Sequence, residues 1–224
     1  MSEKPILFSA PMVRAILDGR KTQTRRIMKP QPVGPVFIAT DPKTPRYCLP
    51  YNETLTMGGL AMRCPYGQPG DRLWVRETWR YRDWTDDGEP EIEFLADGGS
   101  RLVFGHKIPP EWGDRLSDIW AGLSDPSNYA IDQRAADRRW RPAIHMPRWA
   151  SRITLEITGI RVEMLQDISE ADALAEGIDP KFPQDEQVAN AAMMRYADIW
   201  ESINGPGSWA ANPWVWVVEF RRMK

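Results

Sequence analysis

A short apolar run, Ile6-Leu7-Phe8, predicts a strand. Beyond it, Met12, Val13, Ile16 and Leu17 recur at helical spacing. Ser9 suits the N-cap of that helix, Pro11 falls where proline is tolerated, and Gly19 supplies the stop. The turn Gly67-Gln68-Pro69-Gly70-Asp71 leads into an alternating stretch, Arg72 to Trp79, that predicts a strand. Ile153, Leu155 and Ile157 alternate with Thr154, Glu156 and Thr158, the pattern of a half-buried strand that continues through a bend at Gly159. Ser169-Glu170-Ala171-Asp172 opens a short helix as a capping box, and Gly177 ends it. Gln187 to Ile203 predicts a longer amphipathic helix, and Trp214 to Phe220 a closing strand. Two stretches lack such periods. Residues 30–50, with six prolines, predict an irregular loop; residues 83–140, polar and rich in turn formers, predict a loop-rich insertion with a small helix near 114–121.

Few strands and long connections predict an α+β fold: a small β-barrel, closed or half-closed, with helices at its ends. The 224 residues fit a single domain, 1–224, carrying an insertion at about 83–140. No run approaches the roughly 18 apolar residues of a membrane span, and the N-terminal residues lack the features of a signal peptide. With only Cys48 and Cys64, no disulfide framework is expected, which predicts a reduced, cytoplasmic setting. His106 and His145 are isolated and the cysteines lack ligand spacing, so no metal or other cofactor is predicted. Phosphate-loop, dinucleotide and nucleophile-elbow motifs are absent.

Charge changes the picture locally. The net charge is −2, which excludes a uniformly basic nucleic-acid binder, yet the cations are grouped. Arg14, Arg20, Lys21, Arg25, Arg26 and Lys29 face only Asp18 within residues 14–29. Six arginines between Arg134 and Arg152 face only Asp137. Either group is a local positive field or a solvated face. Most of the eleven tryptophans are expected in the core, though Trp74 or Trp79 is suited to stack a base.

The segment Asp18 to Arg26 sets four cations and two hydroxyls just after a helix stop. Lys21 and Thr24 meet on one face only where the chain is helical or bent; on a flat strand they point apart. If they converge, the amine eases ionisation of the hydroxyl or takes its proton, and a carboxylic acid serves the leaving group. Otherwise the segment is a polar surface turn. Glu77, in Arg76-Glu77-Thr78-Trp79, is a candidate acid or a cross-strand partner for an arginine.

Gly19-Arg20-Lys21-Thr22-Gln23-Thr24-Arg25-Arg26, with Gly70-Asp71-Arg72-Leu73 and Trp216-Val217-Val218-Glu219-Phe220, resembles the ASCH domain family. The motif G-x-K-T-x-T-x-R is matched with Arg26 in the final place. The longer stretches around it look like phage and prophage proteins. The resemblance spans about the first eighty and last seventy-five residues and leaves out 83–140. It implies a barrel similar to the PUA RNA-binding domain and a nucleoside or RNA as partner, with no membrane. One branch of the family is an amidohydrolase acting on N4-acetylcytidine. That likeness implies Lys21 as base, Thr24 as nucleophile and Glu176 as proton donor, with Arg20, Arg25, Arg26, Trp74 and Glu77 around the substrate. The alternatives are a non-catalytic RNA-binding module, or a ribonuclease, in the same basic cleft; a third is a phage accessory protein whose barrel mediates protein contacts.

Overall fold

The computed structural model describes residues 2–32, 36–39, 47–50, 63–124, 139–179 and 190–223. Strand β1 (Glu3–Leu7) and helix α1 (Ala10–Leu17) are followed by β2 (Gln23–Ile27), β3 (Val36–Ala39) and β4 (Tyr47–Pro50). Next come β5 (Arg72–Arg76), β6 (Trp79–Trp84), β7 (Pro90–Phe94), β8 (Ser100–Leu102) and α2 (Gly113–Ser124). The chain continues with β9 (Thr154–Met164), α3 (Glu170–Ala175), α4 (Ala191–Asn204) and β10 (Trp214–Arg222). The class is α+β, as expected. Three sheets form, in the orders β1-β5-β9-β10-β2, β3-β4 and β6-β7-β8. Among the described residues no sheet closes into a barrel. Among them, too, no helix is long and apolar enough to cross a membrane.

Two expectations are corrected. Residues 30–50 hold an antiparallel hairpin, β3 with β4, rather than only a loop. Its prolines fall at or outside the strand ends, where a missing N–H costs no ladder bond. Residues 83–140, expected to be loop-rich, include β7, β8 and the end of β6, while α2 stands where the small helix near 114–121 was expected. Strand β7 alternates cleanly, with Pro90, Ile92 and Phe94 buried and Glu91 and Glu93 half-buried. The predicted helices and strands around 153–165, 170–177 and 214–220 are observed. The helix expected over 187–203 is described from Ala191, and residues 187–189 lie outside the described residues.

Two compact units divide the chain. The first comprises Met1–Lys4, Ala15–Leu73 and Leu155–Lys224, and the second Pro5–Arg14 and Trp74–Thr154. A core in the first packs Leu165, Ile168, Tyr196, Trp200, Val215 and Val217. The second centres on Trp79, Tyr81, Phe94, Met146 and Trp149, where Trp79 meets Tyr81 and Trp149 edge to face.

Candidate functional site

The site lies in the first unit and begins at the end of α1. Gly19 N–H donates to the Ile16 carbonyl (3.1 Å) and Arg20 N–H to that of Ala15 (2.9 Å). Gly19 has φ +77°, so the helix ends in a Schellman arrangement. Lys21 N–H reaches the same Ala15 carbonyl at 3.0 Å. The sharp stop thereby lays residues 20–22 beside the end of α3. Thr22 N–H donates to Ala175 O at 2.8 Å, an Arg20 guanidinium N–H donates to Gly177 O at 2.9 Å, and Lys21 bridges Glu176 as an isolated antiparallel pair. Gly177 fits because it is glycine: its φ is +91°, and a Cβ there would sit 2.8 Å from Ala15 Cβ and 3.0 Å from Lys21 Cβ.

Helix α3 is fixed by its cap. Ser169 Oγ accepts from Asp172 N–H, and the Asp172 carboxylate returns to Ser169 N–H. Seven positions on from the cap, Glu176 is the residue that closes the helix. Lys21 Nζ donates to Glu176 Oε2 and to its backbone carbonyl, both at 2.8 Å. The Lys21 side chain is 0% and that of Glu176 3% exposed, so the pair is sealed from water. Burial lowers the Lys21 pKa from 10.5; Glu176 opposes this by charge and hydrogen bond but does not cancel it.

Arg25 extends the pair into a network. Its guanidinium meets Glu176 at 3.3 Å, Glu163 at 2.9 Å and Asp172 at 3.4 Å. Arg161 on β9 binds Glu163, Glu219 and, at 2.7 Å, Asp172. Register explains the convergence: Arg25 pairs with Val217, and Val217 with Arg161, across three adjacent strands. Gly159 opposite Glu219 leaves room for that carboxylate, since a Cβ there would collide with it. Desolvation alone would raise the Asp172 pKa, but the Ser169 hydroxyl and the charges of Arg161 and Arg25 hold it below 3.8. Tyr196 on α4 is pushed well above 10.0, first by burial and then by the charge of Glu176.

The expected residues separate into those brought together and those not. Lys21 and Glu176 are in contact, and Arg25 joins them. Arg20 is committed to Gly177 and, at 3.0 Å, to Asp18. Gln23 and Arg25 reach α3 from one face of β2, so the pleat puts Thr24 and Arg26 on the other. There Thr24 pairs in register with Val218 and Arg26 with Trp216. Thr24 is buried. Trp74 and Glu77 belong to the second unit. Trp74 is only 7% exposed, with the Arg76 guanidinium 4.7 Å from its ring. Glu77 accepts from Arg152 on both oxygens at 2.9 Å, an arginine pair as one of its two readings had it though outside the strands, and burial raises its pKa.

Asp172, Glu163, Arg161, Gln23, Tyr196 and Gly177 emerge only from the structure as parts of the site. The capping box marked Asp172 in the sequence, but as a cap; nothing there announced its arginines. Among the described residues, no group of three or more His, Cys, Asp or Glu side chains is placed to hold a metal ion. No family model, no curated protein and no solved structure matches the chain.

Proposed function

We propose that this chain is a cytoplasmic, prophage-encoded ASCH protein of PUA-like ancestry, directed at a nucleoside or RNA, and that Lys21 and Glu176 hydrolyse an N4-acylated cytidine amide. The observation that carries the reading is the sealed Lys21–Glu176 contact at 2.8 Å, with the lysine pKa depressed. A depressed pKa makes the neutral amine, the basic form, available nearer neutral pH. Charge balance points the same way. Lys21, Arg25 and Arg161 each already have a carboxylate partner among Glu163, Asp172, Glu176 and Glu219. Such a layer suits an uncharged amide better than a phosphate.

In this reading Lys21 takes the proton of an attacking hydroxyl as that oxygen bonds to the acetyl carbon. The C–N bond then breaks, and Glu176, as the acid, protonates the departing N4. Water completes the balance, giving cytidine and acetate. The attacking hydroxyl is that of Thr24 or of water, and substitution distinguishes them. Incubation with N4-acetylcytidine, followed by chromatography for cytidine, is the test. Lys21→Ala and Glu176→Gln abolish turnover. Thr24→Ala abolishes it if the threonine attacks and spares it if water does. Inert wild-type protein that still binds oligonucleotides favours the non-catalytic RNA-binding reading.

A further inference from the structure

The second unit carries a polar sheet face that the Lys21 chemistry does not use. Trp79, Tyr81, Ile92 and Phe94 point into the core, so alternation along β6 and β7 sends Arg80, Glu91 and Glu93 outward. Arg82, at the bulge between Tyr81 and Asp83, joins them: its guanidinium donates to Ser100 Oγ at 3.1 Å and lies 3.6 Å from Glu91. Register sets a row across this face. Arg80 pairs with Glu93, and Glu93 with Ser100 on β8. On the other side of β6, Trp79 bridges Arg141 in antiparallel fashion, which puts Trp140 opposite Arg80. The row therefore reads indole, guanidinium, carboxylate, hydroxyl. Arg80 Nε donates to Glu93 Oε2 at 2.7 Å, and the Arg80 guanidinium lies 4.4 Å from the ring centroid of the exposed Trp140.

A cavity of about 440 Å³ opens here, lined by Arg80, Tyr81, Arg82, Glu93 and Gly98. That is the size of a small-molecule site. Arg80 and Arg82 each have an acid beside them, so the face is no simple grip for phosphate. It offers a carboxylate and a guanidinium side by side, acceptor next to donor. Pairing does not use either group up. A carboxylate accepts several hydrogen bonds, and a guanidinium carries more N–H donors than the two Arg82 contacts take. Arg80, held by Trp140 and Glu93, presents a fixed guanidinium plane, a surface on which nucleobases stack.

A flat ligand with donors on one edge and acceptors on another matches this set, and among the bases guanine has that pattern. Its N1–H and N2 amine are adjacent donors for a carboxylate, and its O6 and N7 are adjacent acceptors for an arginine fork. Adenine carries an acceptor at N1, which a carboxylate repels. Cytosine and uracil each offer a carboxylate a single donor group. We infer that the outward face of β6-β7-β8 is a guanine-binding site, in which the base stacks on Arg80, Glu93 accepts from the N1 and N2 edge, and Arg82 donates to O6 and N7. Its ligand is a guanine nucleoside, with the phosphate of a nucleotide outside the recognised edges. The site stands apart from the Lys21–Glu176 pair and does not rest on the amidohydrolase reading.

The test is isothermal titration calorimetry of the full chain with GMP, AMP, CMP and UMP, which share the phosphate and differ in the base. A good bidentate base contact discriminates by about tenfold or more, so GMP should bind at least about tenfold more tightly than the other three. Glu93→Gln should reverse the order of GMP and AMP, because a glutamine amide both donates and accepts and so meets adenine. Arg82→Gln, which leaves Arg80 and Glu93 in place, should weaken GMP about tenfold and AMP little. A folding defect weakens all four nucleotides together and produces neither a reversal nor such a split. These affinities are read without turnover of any amide, so failure of the amidohydrolase reading leaves them standing. Absence of GMP binding to the wild type overturns the proposal. Equal binding of the four nucleotides marks a phosphate contact only and overturns it too, as does a GMP preference that survives both substitutions.

Discussion

Glu176→Gln is the substitution that interrogates the sealed pair most directly. The replacement keeps the shape of the side chain and removes its charge. Lys21 retains its bond to the Glu176-position carbonyl, and Arg25 retains Glu163 and Asp172. What is lost is the counter-charge of an ammonium with 0% exposure. Removing one partner of a buried pair costs about 3–5 kcal/mol. The surviving bonds place this case near the lower end, about 3 kcal/mol. With a urea slope of roughly 2 kcal/mol per molar, the unfolding midpoint falls by about 1.5 M.

The pH dependence supplies a second, independent sign. In the wild type the Lys21 pKa is lowered from 10.5, so between the folded value and 10.5 the unfolded chain holds more protons than the folded one. Stability from this group therefore rises with pH across that window, by at most about 1.4 kcal/mol per pH unit. In Glu176→Gln both influences that raise the lysine pKa disappear, and the window opens toward lower pH. The stability deficit should then be largest near neutrality and shrink as pH climbs toward 10. Lys21→Met with Glu176→Gln removes the titrating amine and should remove the trend. Urea titrations at a series of pH values decide it. A deficit below about 1 kcal/mol that is flat in pH would refute the picture of a desolvated, charge-dependent pair.

Three further outcomes follow from the same geometry. Gly177→Ala forces a Cβ to 2.8 Å from Ala15 Cβ at φ +91°, and thermal denaturation should show a loss of about 2–4 kcal/mol. Ser169→Ala removes the cap of α3 and should cost about 1 kcal/mol, measurable in urea. Arg161→Gln takes one of two cations from Asp172, whose folded pKa lies below 3.8. Stability from that carboxylate is present above 3.8 and lost as pH falls through the folded value. The variant should therefore unfold at a higher pH on acid titration followed by circular dichroism, and an unchanged midpoint would contradict the network.

How far the sequence disclosed this depends on what each feature requires. Strand β9 was legible because Ile153, Leu155 and Ile157 alternate with polar residues, and the α3 start because Ser169 and Asp172 cap it from within three residues. The β6-β7-β8 sheet was missed although Pro90-Glu91-Ile92-Glu93-Phe94 also alternates. Its outward positions are acids and its flanks are turn formers, so the composition masked the period. The juxtaposition of Lys21 with Glu176 had local causes at both ends, Gly19 and Gly177, and local causes can be read. The arginine network had none. Arg25, Val217 and Arg161 line up only through the register of three strands. The position of Thr24 is an intermediate case: alternation gives its face once β2 is known to start at Gln23, but the bend after Gly19 left both geometries open.

The basic motif also shows what motif counting hides. In the first unit the basic motif that looks suited to phosphate is already answered by carboxylates. Arg25 touches three, Lys21 one, and Arg20 lies 3.0 Å from Asp18. A phosphate entering there would have to displace carboxylates that already pair with these cations, and breaking a buried pair is costly. Cation density alone would assign nucleic-acid contact to residues 20–26, yet Arg20, Lys21 and Arg25 each already have a carboxylate partner.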